Sequence, residues 1–232
     1  MWYLDNIDLY DILCPHKVKG YADKHFLNHH KNDIIYSQST PHKKVYLISK
    51  GKVKVVNYSE EGNEIIKAIL TKGELFGEKA LLGDGAQDEQ AIAMTDNTQL
   101  CPLSVDKMYE LMRDNGRFSL EISKIIGFRL RKMERRLERL LFKDARTRLI
   151  EFILDLLEEQ HGKAGVSGSE SSSHEIELQH FYTQSDIANL IGTTRETVTK
   201  LLNQFRQEGL LEYSRKNILI KNKEAFYNLS SL

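Results

Sequence analysis

A long stretch without proline in the middle of the chain, from about residue 106 to 160, constrains the fold most. From Ile126 onward its apolar residues recur at spacings of four, three, four and three, the heptad pattern of a coiled-coil seam. The stripe consists of Ile122, Ile126, Leu130, Met133, Leu137 and Leu140. Many arginines flank it, so the opposite face is too charged to be buried. We therefore expect a long helix that pairs with a second copy; a helix packed only on its own domain is the alternative.

Short strands are predicted before this helix and further helices after it. Between about residues 31 and 105, apolar and polar positions partly alternate and glycines punctuate the chain, which indicates a small sandwich, roll or barrel with a hairpin turn at residues 60–63. A break at Lys143 and Asp144 ends the long helix, and Asp144 is expected to cap the next one. The Gly- and Ser-rich segment at residues 162–173 predicts a flexible surface loop.

The segment from Tyr182 to Glu212 is the most informative about chemistry. Two apolar faces at helical spacing are separated by Gly192, which can adopt a left-handed turn. The first helix starts at Thr183 or at Gln184 and Ser185. The inward residues of the second helix are Val198, Leu201, Leu202 and Phe205, which leaves exposed Thr194, Arg195, Glu196, Thr199 and Lys200. Two short helices joined in this way predict a helix-turn-helix.

The exposed residues of the second helix suit the edges of DNA bases. Arg195 can bond guanine through two hydrogen bonds, Glu196 can accept from the cytosine amino group, and Lys200 can reach a base or a phosphate. After Gly209, two short strands around residues 214–217 predict a basic wing. The predicted DNA contacts outside the second helix are Gln184, Ser185, Arg215 and Lys216, of which the last two suit phosphates.

Several segments resemble the Crp/Fnr family of bacterial transcription regulators. The family's recognition helix is similar to TTRETVTKLL, and its effector-domain jelly roll is similar to KNDIIYSQSTPHKKVYLISKGKVKVV. The stretch that leads into its phosphate cassette is similar to KGELFGEKALL. The junction between its dimer helix and its DNA-binding domain is similar to FKDARTRL. The resemblance implies an α+β chain with a β-roll sensor at residues 1–115, a dimerisation helix at 116–142 and a winged helix-turn-helix at 143–232. Arg195 and Glu196 coincide with the cyclic-AMP-receptor branch, whereas Lys200 replaces its usual arginine.

The sensor part departs from the cyclic-nucleotide branch. That branch uses a Gly-Glu pair for the ribose and a later Arg-Ser pair for the phosphate; here Gly77-Glu78 are present, but Glu89-Gln90 stand in the second place. A carboxylate repels a phosphate, and without the arginine the bidentate contact between guanidinium and phosphate is missing. Met133 and Glu134 replace hydroxyl residues on the helix. The effector-pocket candidates are Phe76, Gly77, Glu78, Glu89, Gln90 and Met133, and they argue against cyclic AMP. Glu78 can equally hold a turn, so the effector stays unidentified.

Metal and redox chemistry find little support in the sequence. Cys14 and Cys101 are too few for an iron–sulfur cluster or a disulfide framework. His25 and His29 are spaced to share a helix face with His30 beside them, but no further ligands complete a site, so a surface or core cluster is favoured and haem stays open as an alternative. No phosphate-cradling glycine loop and no nucleophile with a paired base are found, so the chain is not expected to be an enzyme.

The overall composition excludes little about partners. Lys+Arg and Asp+Glu both number 33, so a nucleic-acid surface must come from local arrangement. The sequence shows neither a signal peptide nor an apolar run of about 18 residues, which predicts a cytoplasmic chain without a membrane partner. We expect a homodimeric regulator that binds palindromic double-stranded DNA and RNA polymerase. Its sensor is expected to bind a small effector. A ligand-binding domain without DNA activity is the alternative.

Overall fold

The computed structural model describes residues 26–37, 43–82, 89–166, 175–180, 182–214 and 216–229. The chain forms two compact units, Met1–Arg129 and Leu130–Leu232, and the boundary falls inside one long helix. Cys14, His25 and Arg215, singled out from the sequence, lie outside the described residues.

The first unit contains a two-layer β-sandwich. Its strands are β1 Leu27–His29, β2 Ile34–Tyr36, β3 Lys44–Lys50, β4 Val53–Tyr58, β5 Glu64–Leu70, β6 Leu75–Phe76, β7 Gln90–Ala93 and β8 Thr98–Ser104. They pair antiparallel in two sheets of order β1-β8-β3-β6 and β2-β7-β4-β5. The predicted hairpin turn lies between β4 and β5, where Gly62 has a φ of +79°. This architecture confirms the predicted roll.

Strand β3 separates two cores, which explains why its sequence alternates only in part. Val45 and Leu47 face helices, in a cluster with Met108 and Phe118. Tyr46 and Ile48, one residue along, face the other sheet. Because both faces of the strand are buried, apolar residues occupy consecutive positions rather than every second one.

Three helices follow: α1 Val105–Asp114, α2 Gly116–Phe142 and α3 Ala145–Val166. The sequence predicted a single break at Lys143 and Asp144, but the structure has another at Asn115, whose side chain accepts from the amide of Phe118 at 3.1 Å. Asp144 caps α3 as predicted: it accepts from the amide of Thr147 at 2.7 Å, and this bond lowers the pKa of Asp144. Helix α3 continues to Val166, so the first five residues of the predicted loop at 162–173 are helical.

The second unit packs helices against a small sheet. The remaining elements are β9 Ile176–Gln179, α4 Gln184–Ile191, α5 Arg195–Gln207, β10 Leu211–Tyr213, β11 Asn217–Ile220 and α6 Lys223–Asn228. The strands form an antiparallel sheet of order β10-β11-β9. Its core is built from α3, α4, α5 and α6, with the fully buried members Leu149, Ile150, Ile153, Phe205 and Phe226. Strand β9 and helix α6 were not predicted.

Candidate nucleic-acid interface

Helix α4 begins at a reciprocal cap. The hydroxyl of Thr183 accepts from the amide of Asp186 at 3.1 Å, and the carboxylate of Asp186 accepts from the amide of Thr183 at 2.8 Å. Of the two predicted starts, Thr183 is therefore the cap, and Gln184 is the first helical residue. Two backbone N–H groups that would otherwise lack an acceptor are satisfied in this way, and this determines where α4 starts.

Gly192 makes the turn between α4 and α5. Its φ of +66° and ψ of +53° are left-handed, as the sequence predicted. A side chain at this position would also meet Leu140 of helix α2. The turn ends at Thr194, whose hydroxyl caps α5 by accepting from the amide of Thr197 at 3.2 Å. Thr194, predicted to contact DNA, thus has a structural task as well.

Helix α5 has one buried and one exposed face. Val198, Leu202 and Phe205 are buried as predicted, while Leu201 is only partly buried. Arg195, Glu196 and Lys200 are exposed near the start of the helix. Within the described part of the chain, no hydrogen bond or ion pair engages these three side chains. They are therefore available to a partner molecule.

The exposed face extends further along α5 than the sequence prediction did. The additional polar residues on the same face are Asn203, Gln204 and Gln207. Helical spacing from Glu196 and Lys200 would have identified Asn203 and Gln207. Thr199 differs from its neighbours, because its hydroxyl lies 2.6 Å from Oε1 of Gln184. The exposed Ser185 sits beside Gln184 at the start of α4.

The predicted wing is present as the hairpin β10–β11. The amide of Ser214 donates to the carbonyl of Asn217 at 2.8 Å and closes the turn, with Lys216 exposed at its tip. His180, which follows β9, braces this turn. Its amide donates to the carbonyl of Lys216 at 2.7 Å, and its Nε2 lies 3.1 Å from the carbonyl oxygen of Ser214.

Sequence reasoning missed His180, because nothing local shows that β9 pairs with the wing. The ring also lies against Tyr213, with 5.2 Å between ring centroids. His180 is buried, and this burial lowers its pKa. The wing is thus held from behind by a neutral imidazole.

The arginines around the α2–α3 corner are engaged within the second unit. Arg136 donates to the carbonyl of Asn189 at 2.9 Å, and Arg148 to that of Gly192 at 3.1 Å. Arg139 pairs with Asp155 at 2.5 Å. Arg146 pairs with Glu208 at 2.7 Å and lies 4.6 Å above the ring of Phe205. These four arginines therefore stabilise the scaffold that supports α4 and α5.

The apolar stripe of α2 is exposed, with one exception. Ile126, Leu130, Met133 and Leu137 are 57–68% exposed. Ile122 is instead 5% exposed in the core of the first unit, together with Met108 and Phe118. Its assignment to the dimer interface was therefore wrong: the stripe rotates into the core before the heptad pattern begins. Leu140, at the other end, is 39% exposed and borders Gly192.

The candidate effector residues differ in their exposure and in the partners that they already have within the chain. Phe76 is 1% exposed and stacks on Tyr36 and on Tyr46, which also stack on each other. Gly77 has a φ of +80°, and Glu78 after it pairs with Arg129 at 2.8 Å. Gln90 lies in β7, in register with Val56. Met133 belongs to the second unit and is 68% exposed.

Glu89 is buried and paired within the first unit. Tyr36 donates its hydroxyl to Oε1 of Glu89 at 3.0 Å. Lys79 and Lys67 lie 3.3 and 3.6 Å from Oε2. Burial, and then the neighbouring Glu89 carboxylate, raises the pKa of Tyr36. The carboxylate thus already has a donor and two counter-charges.

Metal-binding residues are not clustered in the described ranges, where no group of three or more His, Cys, Asp or Glu could hold an ion. His29 is half-buried and His30 exposed, and Cys101 is buried in the cluster that Val45 and Leu47 form with the helices. In the same residues, no helix has the length and hydropathy that a bilayer crossing requires.

Comparison with known proteins relates both units to one group of regulators. The cyclic nucleotide-binding domain family matches residues 26–115, and the Crp-like helix-turn-helix domain family matches residues 147–229. The chain is 30% identical to the cyclic AMP receptor protein of Thermus thermophilus, over 76% of this chain and 74% of the relative. It is 28% identical to a global nitrogen regulator of Nostoc sp., over 82% of each chain. The structure of a CooA mutant from Carboxydothermus hydrogenoformans superposes with a TM-score of 0.74 at 27% identity and covers 98% of both chains.

Proposed function

Because the chain belongs to the Crp/Fnr family of transcription regulators, we propose that it uses the exposed start of α5 to read a two-fold-symmetric DNA site. Like its relatives, it is a DNA-binding regulator and not an enzyme. The observation that carries the proposal is that Arg195, Glu196 and Lys200 are exposed and unengaged at the start of α5. The opposite face of this helix is buried at Val198, Leu202 and Phe205.

Each of these side chains has a distinct role in the proposed complex. The N-terminal residues of a second helix in this motif contact base edges in the major groove. Arg195 bonds guanine through O6 and N7, and Glu196 accepts from the amino group of cytosine. Lys200, one turn further, bonds a base or a phosphate. Lys216 at the wing tip binds backbone phosphate, with Arg215 beside it in sequence.

Two copies of the chain read the site together. In the proposed dimer, Ile126, Leu130, Met133 and Leu137 of α2 meet the same residues of a second copy in a parallel seam. The two α5 helices then enter major grooves one helical turn apart, about 34 Å along the duplex. Their operator is therefore a palindrome.

The effector of the first unit is not cyclic AMP in this proposal. Glu89 stands where the resemblance expects an arginine and is neutralised by groups of this chain, namely Tyr36, Lys67 and Lys79. A cyclic phosphate would have to displace a buried carboxylate of its own charge sign, which is strongly unfavourable. We further propose that a small molecule regulates the chain, that RNA polymerase is a partner and that the chain is cytoplasmic; membership of this family supports all three.

A bind-and-sequence selection from random DNA duplexes tests this function. Purified protein is used at one stated salt concentration, with and without cell extract, because the affinity depends on ionic strength. Enrichment of a palindrome with half-sites about 10 base pairs apart supports the dimeric reader. If neither condition enriches a sequence, the chain is a ligand sensor without DNA activity.

A further inference from the structure

The hydroxyl of Thr199 is engaged inside the protein, unlike the side chains of Arg195, Glu196 and Lys200. Its Oγ1 lies 2.6 Å from Oε1 of Gln184, the first residue of α4. Both side chains are half-buried. The bond therefore links the two helices of the helix-turn-helix at the edge of the exposed face.

The distances indicate which neighbouring atom accepts the hydrogen of the Thr199 hydroxyl. An O···O separation of 2.6 Å is typical of O–H···O bonds, whereas N–H···O bonds cluster near 2.9–3.0 Å. The hydroxyl has a single hydrogen, and its second neighbour, the carbonyl of Arg195, is further away at 2.9 Å. That carbonyl also accepts an amide within the helix. Thr199 thus donates to Oε1 of Gln184.

This bond determines what the Gln184 amide can offer to DNA. With Oε1 occupied, the Nε2 group and its two hydrogens point away from Thr199. Oε1 has a second lone pair, but a two-bond contact with adenine needs Oε1 and Nε2 to face the base edge together, and Oε1 faces Thr199. A phosphate oxygen requires only a donor. The first helix of this motif crosses the DNA backbone, and Gln184 stands at its first residue.

We propose that Thr199 is a positioning residue, which holds the Gln184 amide so that its Nε2 donates to a backbone phosphate beside the half-site. Thr199 does not read a base through its hydroxyl. The inference rests on the proposed function, since it needs DNA bound at α5.

The test compares affinities for the selected operator and for its single-base-pair variants. Thr199→Val removes the hydroxyl at nearly constant volume and is expected to weaken every one of these complexes by the same factor, about threefold to tenfold, the range of a net hydrogen bond. Thr199→Ser keeps the hydroxyl and restores the affinity. Gln184→Ala gives a similar loss, and the double variant loses no more than either single one. The salt dependence stays the same, because a neutral donor releases no counterion.

Three outcomes would overturn the inference. A changed base preference at one position in Thr199→Val shows that the hydroxyl reads a base. A reduced urea midpoint together with an unchanged DNA affinity in the same variant shows that the bond has only a structural role. Losses that multiply in the double variant show that the two residues act separately. A wild-type chain that binds no DNA, with or without extract, removes the proposed function as well, whereas the other three leave it standing.

Discussion

The exposed stripe of α2 allows a quantitative prediction for dimerisation. Leu137 is 57% exposed in the chain, so about half of its side chain can still be buried by a partner. Burying a whole leucine side chain is worth about 1.5–3 kcal/mol, and half of it about 1 kcal/mol. A two-fold-symmetric dimer contains the contact twice, which gives about 2 kcal/mol. Leu137→Ala should therefore raise the dimer dissociation constant about 30-fold.

Leu120 provides a matched control on the same helix. It is 56% exposed, but it lies about 100° around the helix from Leu137, because an α-helix turns about 100° per residue. Leu120→Ala should leave the dimer dissociation constant unchanged. Sedimentation equilibrium of the full-length variants measures both constants, and urea unfolding confirms that each variant is folded. Equal constants for the two variants would refute the pairing of this stripe.

Three further predictions concern stability and are measured by urea unfolding of the full chain. Gly192→Ala should lower the free energy of unfolding by about 1–2 kcal/mol, because φ is +66° at this residue. Gly127→Ala, inside α2, should raise it by about 0.5–1 kcal/mol. Changes of the same sign in both variants would contradict the turn geometry. Tyr36→Phe should lower the free energy of unfolding by about 1.5–3 kcal/mol, since it removes the hydrogen bond to the buried carboxylate of Glu89. An unchanged urea midpoint would show that this bond contributes nothing to stability. Burial holds the pKa of His180 below its ordinary 6.5, so the unfolded chain takes up the proton first, and stability is lost as pH falls below about 6.5. His180→Gln should lose less stability than the wild type between neutral and mildly acidic pH; a larger loss would reverse the assigned sign.

Local patterns predicted the helix-turn-helix well. The spacing of Val198, Leu202 and Phe205 determines which face of α5 is buried, and hence that Arg195 and Glu196 are exposed. The turn at Gly192 and the cap at Asp144 follow from residue types that suit those backbone conformations. In each case the interaction lies within a few residues of sequence, where periodicity and capping chemistry decide the structure.

Contacts between distant residues were beyond sequence reasoning. Ile122 continues the apolar stripe, yet it packs on Met108 and Phe118, and only the fold shows which partner a stripe residue meets. His180 reaches the wing because β9 pairs with β11, although the two strands are far apart along the chain. The engagement of Arg136 with α4 likewise depends on tertiary packing. Such pairs set the positions of the exposed residues without any local signature.

The base-reading role of Arg195 is the central claim, and one comparison tests it most directly. The affinities of wild type and Arg195→Ala are measured for the selected operator and for each of its symmetric single-base-pair variants, with Arg113→Ala in the first unit as a matched control. We expect Arg195→Ala to lose about 1–3 kcal/mol on the operator and to become indifferent to one base pair of each half-site, while Arg113→Ala binds like the wild type. An equal loss on every sequence would contradict base reading by α5.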